Sequence, residues 1–337
     1  MESIRLIYEQ IEQAKKYLMN GSLLQLRLAL ILLDNAAELL MHRELQLRFS
    51  WDDEMMPKWE PARTEWISAG LGAKYTDEER RDSEKEFEPK LRILHLRLKK
   101  ISDDDRKVLC VSHKLRCEAF HRGHIRPQIL AQVSRVLFTT VVELTVKLPL
   151  QEYRIPGGDL DSDNAAFLER FGFRDAYALG TDEGRLKLKR KLGEGVGIDP
   201  LELAHALSSD LIQRVDETIE GLAYVGGAED RTKIDHNLQY TQFWREIGSH
   251  MLKNGIYEPQ LREEFKARQL AGRAKFTLSK IERWRRMAHA IAHYVNPAVA
   301  LDHYWAIDKR FAPLEQDVAQ TVSRYDDDVN MQIHHRR

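Results

Sequence analysis

At 337 residues the chain can bury a large core, and its length favours two domains over one. A composition of 43% hydrophobic and 31% charged residues is that of a soluble globular protein, and a net charge of −1 excludes a global electrostatic pull toward nucleic acid. No apolar run approaches the ~20 residues of a bilayer span, and the start, MESIRLIYEQIEQAKK, has no apolar signal core. A cytoplasmic protein without membrane contact is therefore expected. Cys110 and Cys117 are too few for a disulfide framework, and seven residues apart on one helix they lie about 10 Å from each other.

Residues 1–19 alternate apolar and charged positions with helical period, and Asn20-Gly21-Ser22 closes that helix and caps the next. Residues 22–49 then predict one long helix, apolar nearly all round and so central to the first domain. Asp34, Asn35, Glu38 and His42 interrupt it. Because Asp34–Glu38 and Glu38–His42 are i,i+4 pairs, an acid lies deep on a buried helix and needs a partner. Residues 51–72 have prolines, tryptophans and no period, which predicts an irregular loop packed by its aromatics. Thr76-Asp77-Glu78-Glu79 is a capping box for a half-exposed helix to about Lys100.

Ser102-Asp103-Asp104-Asp105 caps the helix richest in chemistry. Its stretch SHKLRCEAFHRGHIRP gathers three histidines, a cysteine and an arginine. At ~100° per residue, His113, Cys117, His121 and His124 share about 80° of arc, with Arg116 at its edge. Gly123 loosens the helix and Pro127 suits the first turn of the next one, which runs over residues 126–147. That run is β-branched enough to suggest strand, but no second strand exists for it to pair with, so a helix is predicted.

The segment Arg116-Cys117-Glu118-Ala119-Phe120-His121 resembles the R-x4–6-H signature of the HEPN superfamily, helical proteins that include metal-independent RNases of prokaryotic toxin and anti-phage defence systems. The position after the arginine, commonly Asn in that signature, is Cys117 here. The likeness covers about residues 22–147, with an insertion at 51–100 inside it. It implies an all-α, HEPN-like bundle and RNA as substrate, cut without a cofactor by a homodimer whose motifs line a shared cleft, under the control of an antitoxin or regulatory protein. It also implies an acidic group on the long helix facing the motif, and Glu38 is the residue expected to orient Arg116 or His121.

RNA transphosphorylation needs a base for the 2′-hydroxyl proton, a cation for the phosphoryl oxygens and an acid for the leaving 5′-oxygen. Histidine titrates near neutrality and arginine stays charged. His121 is thus the candidate base, Arg116 the phosphate clamp, and His124 or His113 the acid or an orienting group. Arg116 and His121 are about 140° apart on an ideal helix, which is why two copies are needed around one phosphate. The bland reading is that these histidines only cap a helix end. Metal binding by His113–Cys117 or Cys117–His121 is disfavoured by the adjacent guanidinium, so no metal is expected.

Pro149 to Asp163, with Pro156-Gly157-Gly158, is the predicted linker, dividing a HEPN-like domain at 1–150 from a helical domain at 151–337. Beyond it, helices are predicted over residues 163–171, 183–192, 199–221, 233–254, 258–270, 277–294 and 297–323, followed by a fraying tail. Residues 262–286 contain nine Lys/Arg against three Glu, a candidate RNA-binding flank that includes Lys275, Arg283, Arg285 and Arg286. His289 and His293 follow at i,i+4. They read as an RNA-backbone contact, a degenerate second R-x6-H site or a metal pair, against the plainer account of an amphipathic helix with polar edges. No phosphate loop, GxSxG, HExxH or paired CxxC is present. The alternative to an RNase is a non-catalytic helical module, an inactive HEPN relative that binds RNA or a protein.

Overall fold

The computed structural model describes residues 2–55, 60–69, 75–121, 126–148, 162–226, 231–243 and 275–335. Among them the fold is all-α, with no strand. The chain divides into two compact units, Met1–Asp199 with Pro297–Val299, and Pro200–Asn296 with Ala300–Arg337.

In the first unit α1 (Glu2–Asn20) and α2 (Leu23–Met55) form a hairpin. The turn needs Gly21, whose φ of 72° is the left-handed conformation glycine adopts without strain. α2 is the axis of the unit and packs on α1, α6 (Asp103–His121) and α7 (Pro127–Lys147). Buried Leu30, Leu33, Leu40 and Met41 fill the interior, while buried Ala29, Ala36 and Ala37 let neighbouring helices approach closely. Pro127 opens α7, as its missing N–H and fixed φ allow. By length and composition α7 could cross a membrane, contrary to the sequence expectation, but 67% of its apolar stretch is buried inside the fold. It is a core helix, and Thr140 and Thr145 return their hydroxyls to its own carbonyls.

The expected loop at 51–72 is corrected in part. α2 continues to Met55 because Asp52, at its end, is held by Arg80, and α3 (Glu60–Ser68) follows. The capping box forms as read: Glu79 N donates to Thr76 Oγ1 at 3.1 Å, and Thr76 N to Glu79 Oε2 at 3.0 Å. The helix it starts does not reach Lys100 unbroken. It stops as α4 (Asp77–Lys85), restarts as α5 (Phe87–Arg92) and ends in a π-helical turn, Ile93–Arg97. Pro89 is the cause. In a continuous helix its ring would meet the carbonyl of Lys85, so the backbone goes extended at Glu86 (φ −118°, ψ 148°) and Pro89 falls in a first turn.

Three further helices, α8 (Ser162–Arg170), α9 (Ala176–Gly180) and α10 (Asp182–Gly193), also belong to the first unit, α8 packing on α1 and α10 on α7. Tyr8 stacks on Phe167 at 5.9 Å between ring centroids. Gly184 admits no side chain, since a Cβ there would lie 1.8 Å from the Ala178 carbonyl oxygen. The division of the chain therefore falls at Asp199/Pro200 and not at 150, because the helices after the predicted linker have their apolar partners in the first bundle. Most of that linker lies outside the described residues.

The second unit comprises α11 (Pro200–Gly226), α12 (Arg231–Phe243), α13 (Leu278–Ile291) and most of α14 (Pro297–His335). Leu207, Leu211, Ile281, Trp284, Tyr304 and Phe311 form its interior. A buried ion network links its helices. Arg214 of α11 donates to Asp308 at 2.7 Å and to both oxygens of Glu315, and Asp210 accepts from Tyr304 at 2.7 Å. The predicted helix at 233–254 is described only to Phe243, and that at 258–270 lies outside the described residues. The tail expected to fray is helical to His335.

Candidate functional site

The motif helix starts as its sequence dictates. Asp105 N donates to Ser102 Oγ at 3.1 Å, Ser102 N returns a bond to Asp105 Oδ2, and Lys147 from the end of α7 closes on the same carboxylate at 2.6 Å. One face of α6, carrying Val108, Leu109, Val111 and Leu115, is buried. Its far end is also anchored, because Arg27 of α2 donates to the Ala119 carbonyl at 2.7 Å and Arg126 reaches Glu118 at 3.1 Å.

On the polar side, a single carboxylate organises the arginine. Asp34 of α2, 1% exposed, accepts from Arg116 Nε at 2.8 Å and lies 3.0 and 3.1 Å from His113 Nδ1. The acid expected deep on α2 is present and doubly paired. For Arg116 it is not the one singled out: Glu38, 29% exposed, takes Lys90 of α5 at 2.8 Å and does not hold Arg116, while the alternative that it orients His121 falls on a side chain outside the described residues. Asp34 and Glu38 share a face of α2, one turn apart. Which of them meets Arg116 depends on the height at which α6 crosses α2, and sequence spacing does not contain that height.

Arg116 spends Nε on Asp34 and brings Nη1 within 3.9 Å of Cys117 Sγ. Its terminal nitrogens have no carboxylate partner among the described residues, and the side chain is 21% exposed. A guanidinium held through Nε, with no carboxylate on its terminal nitrogens, is a form in which arginine can receive an oxyanion. His113 is engaged on all sides, with Nδ1 on Asp34, Nε2 at 3.7 Å from Cys117 Sγ, and its ring 3.9 Å from that of Phe87 at 7° to parallel. Both of its ring nitrogens therefore have neighbours within the fold. Burial pushes the Cys117 thiol up, against the opposing pull of Arg116, so it is a poor thiolate.

His121 closes α6, but its side chain, like Gly123 and His124, lies outside the described residues. Phe87 and Lys90, both buried against this face, were not anticipated. They come from the insertion, where the only trace in sequence is a lysine within an apolar stripe. Among the described residues no three His, Cys, Asp or Glu converge as metal ligands.

The second constellation separates in space. Arg283, Arg286 and His289 are exposed along α13, opposite buried Ile281, Trp284 and Ala288. Arg285 pairs with Asp216 at 3.0 Å, and Lys275 lies 5.4 Å from the Phe276 ring centroid. The helix ends at Ile291, so the exposed His293 sits in the terminal turn and does not continue the i,i+4 row from His289. This is the amphipathic helix with polar edges.

No family model, curated protein or solved structure matches the chain.

Proposed function

We propose that the chain is a HEPN-like, metal-independent endoribonuclease of the prokaryotic toxin or defence type, acting in the cytoplasm as a homodimer. The observation that carries this is Arg116, fixed through Nε by a buried carboxylate, with no carboxylate on its terminal nitrogens among the described residues, five residues before His121 at the end of the same helix. In the reaction Arg116 offsets charge on the phosphoryl oxygens. His121 takes the 2′-hydroxyl proton as that oxygen attacks phosphorus, the bond to the 5′-oxygen breaks, and His124 protonates the leaving oxygen. The products are a 2′,3′-cyclic phosphate and a 5′-hydroxyl.

Exposed Leu24, Leu28 and Phe120 lie at the end of the unit where Arg27 meets Ala119, an apolar surface suited to a second copy. An antitoxin or regulatory protein would act by covering the same end. The exposed arginines of α13 are secondary candidates for RNA contact. A second reading rests on the same carboxylate: Asp34 ties α2 to α6, as a non-catalytic RNA- or protein-binding module also requires.

The test incubates the full chain with single-stranded RNA in EDTA and examines the ends. Cyclic phosphate formed by wild type and lost in Arg116→Ala and His121→Ala supports the enzyme. Cleavage retained in both variants refutes the site, and no cleavage by wild type favours the module.

A further inference from the structure

Two grooves in the first unit meet at one residue. The first, about 480 Å³, runs along the last turns of α1 and is lined by Glu12, Lys15, Lys16, Asn20 and Lys191. The second, about 600 Å³, lies between α7 and the end of α10 and is lined by Val142, Val196, Lys189, Arg190 and Lys191 among others. Lys191 belongs to both, and Lys15 Nζ donates to its carbonyl at 3.3 Å, which joins the two walls.

The charge of this trough is not balanced locally. Glu12 is taken by Arg170 at 2.9 Å and Glu143 by Lys189 at 2.5 Å. Lys16, Arg190 and Lys191 are exposed and form no ion pair among the described residues, leaving Glu194 as the nearby uncommitted acid. Lysines at helix C-termini commonly offset the macrodipole. α10 carries Arg190 and Lys191 in its last turn, while Lys16 of α1 lines the same groove as Lys191, and a trough of one sign focuses potential on an anion within it.

We propose that the joined grooves bind the phosphodiester backbone of single-stranded RNA, with Lys16, Arg190 and Lys191 contacting phosphates. The ligand class rests on the RNA reading above. No aromatic ring is exposed in the lining, Phe138 being 1% exposed, so bases are not stacked and recognition is independent of sequence.

The test measures binding apart from cleavage, using fluorescence anisotropy of the full chain with labelled 2′-O-methyl oligouridine, which has no 2′-hydroxyl to attack. Wild type is expected to show a slope of log K against log salt near −2, from about 0.7 per phosphate neutralised. Lys16→Glu/Lys191→Glu is expected to lose about tenfold or more in affinity and to flatten the slope by about 1.4. Binding unchanged in that variant overturns the proposal. So does loss that follows Arg283→Glu/Arg286→Glu instead, or polyglutamate competing as well as RNA. Arg116→Ala separates the two readings: if it binds like wild type, the trough stands whether or not cleavage is ever seen.

Discussion

Replacing Asp34 by Asn tests the centre of the site at nearly constant volume. The carboxylate is 1% exposed and serves two partners, Oδ2 accepting from Arg116 Nε at 2.8 Å while His113 Nδ1 lies 3.0 and 3.1 Å from Oδ1 and Oδ2. An asparagine can turn its oxygen to one of them, which aims its own N–H₂ at the other. One donor-to-donor contact then replaces a charge-assisted bond. Hydrogen bonds to charged groups are worth about 1.5–3 kcal/mol. Both partners are 21% exposed and can rehydrate in part, so the expected loss is about 2 kcal/mol, at the lower end of that range. With two compact units a single unfolding midpoint would mix transitions, so hydrogen exchange of α2 and α6 peptides is the suitable assay. Exchange there should speed up roughly thirtyfold while α11 and α13 are unchanged. A double-mutant cycle with Arg116→Ala should give about 1–2 kcal/mol of coupling. Protection of α2 and α6 equal to wild type, or coupling below about 0.5 kcal/mol, would refute the assignment of Asp34 as the organising carboxylate.

The Lys90–Glu38 pair should be asymmetric. Lys90 is 2% exposed and Glu38 29%, so Glu38→Ala strands a buried ammonium at a cost of about 3–5 kcal/mol, whereas Lys90→Met stays within about 1 kcal/mol, read by exchange of α5. In the second unit Arg214→Ala leaves Asp308 and Asp210 buried without their cation and should cost about 3–5 kcal/mol, seen as selective loss of protection in α11 and α14. Burial raises the Asp105 carboxyl, but hydrogen bonds from Lys147 and Ser102 outweigh it, so its folded value is lowered; the stability this gives is present above about pH 4 and is lost as pH falls below it. A pH titration of exchange at the start of α6 should show that loss, and Asp105→Asn should abolish it. Cys117 should alkylate slowly with iodoacetamide at neutral pH, and Arg116→Ala should slow it further, because the guanidinium is the group that lowers the raised thiol.

Sequence by itself determined what depends on neighbours along the chain. The 3.6-residue period set α1 and α6, an apolar run too long for a loop set α2, the want of a partner strand set α7 as a helix, the box at Thr76 and Glu79 and the cap at Ser102 set two helix starts, and Pro127 set a third. An acid inside the apolar run of α2 announced a buried pair, and the arginine of α6 announced a partner. Tertiary structure alone decided that the pair is Asp34 with Arg116 and His113, that Glu38 goes to Lys90, and that Phe87 covers the His113 ring. It also decided that α8–α10 join the first unit and bring Lys191 to Lys15. The reason is geometric: periodicity fixes which face of a helix a side chain occupies, but not the depth, height or angle at which another helix meets it.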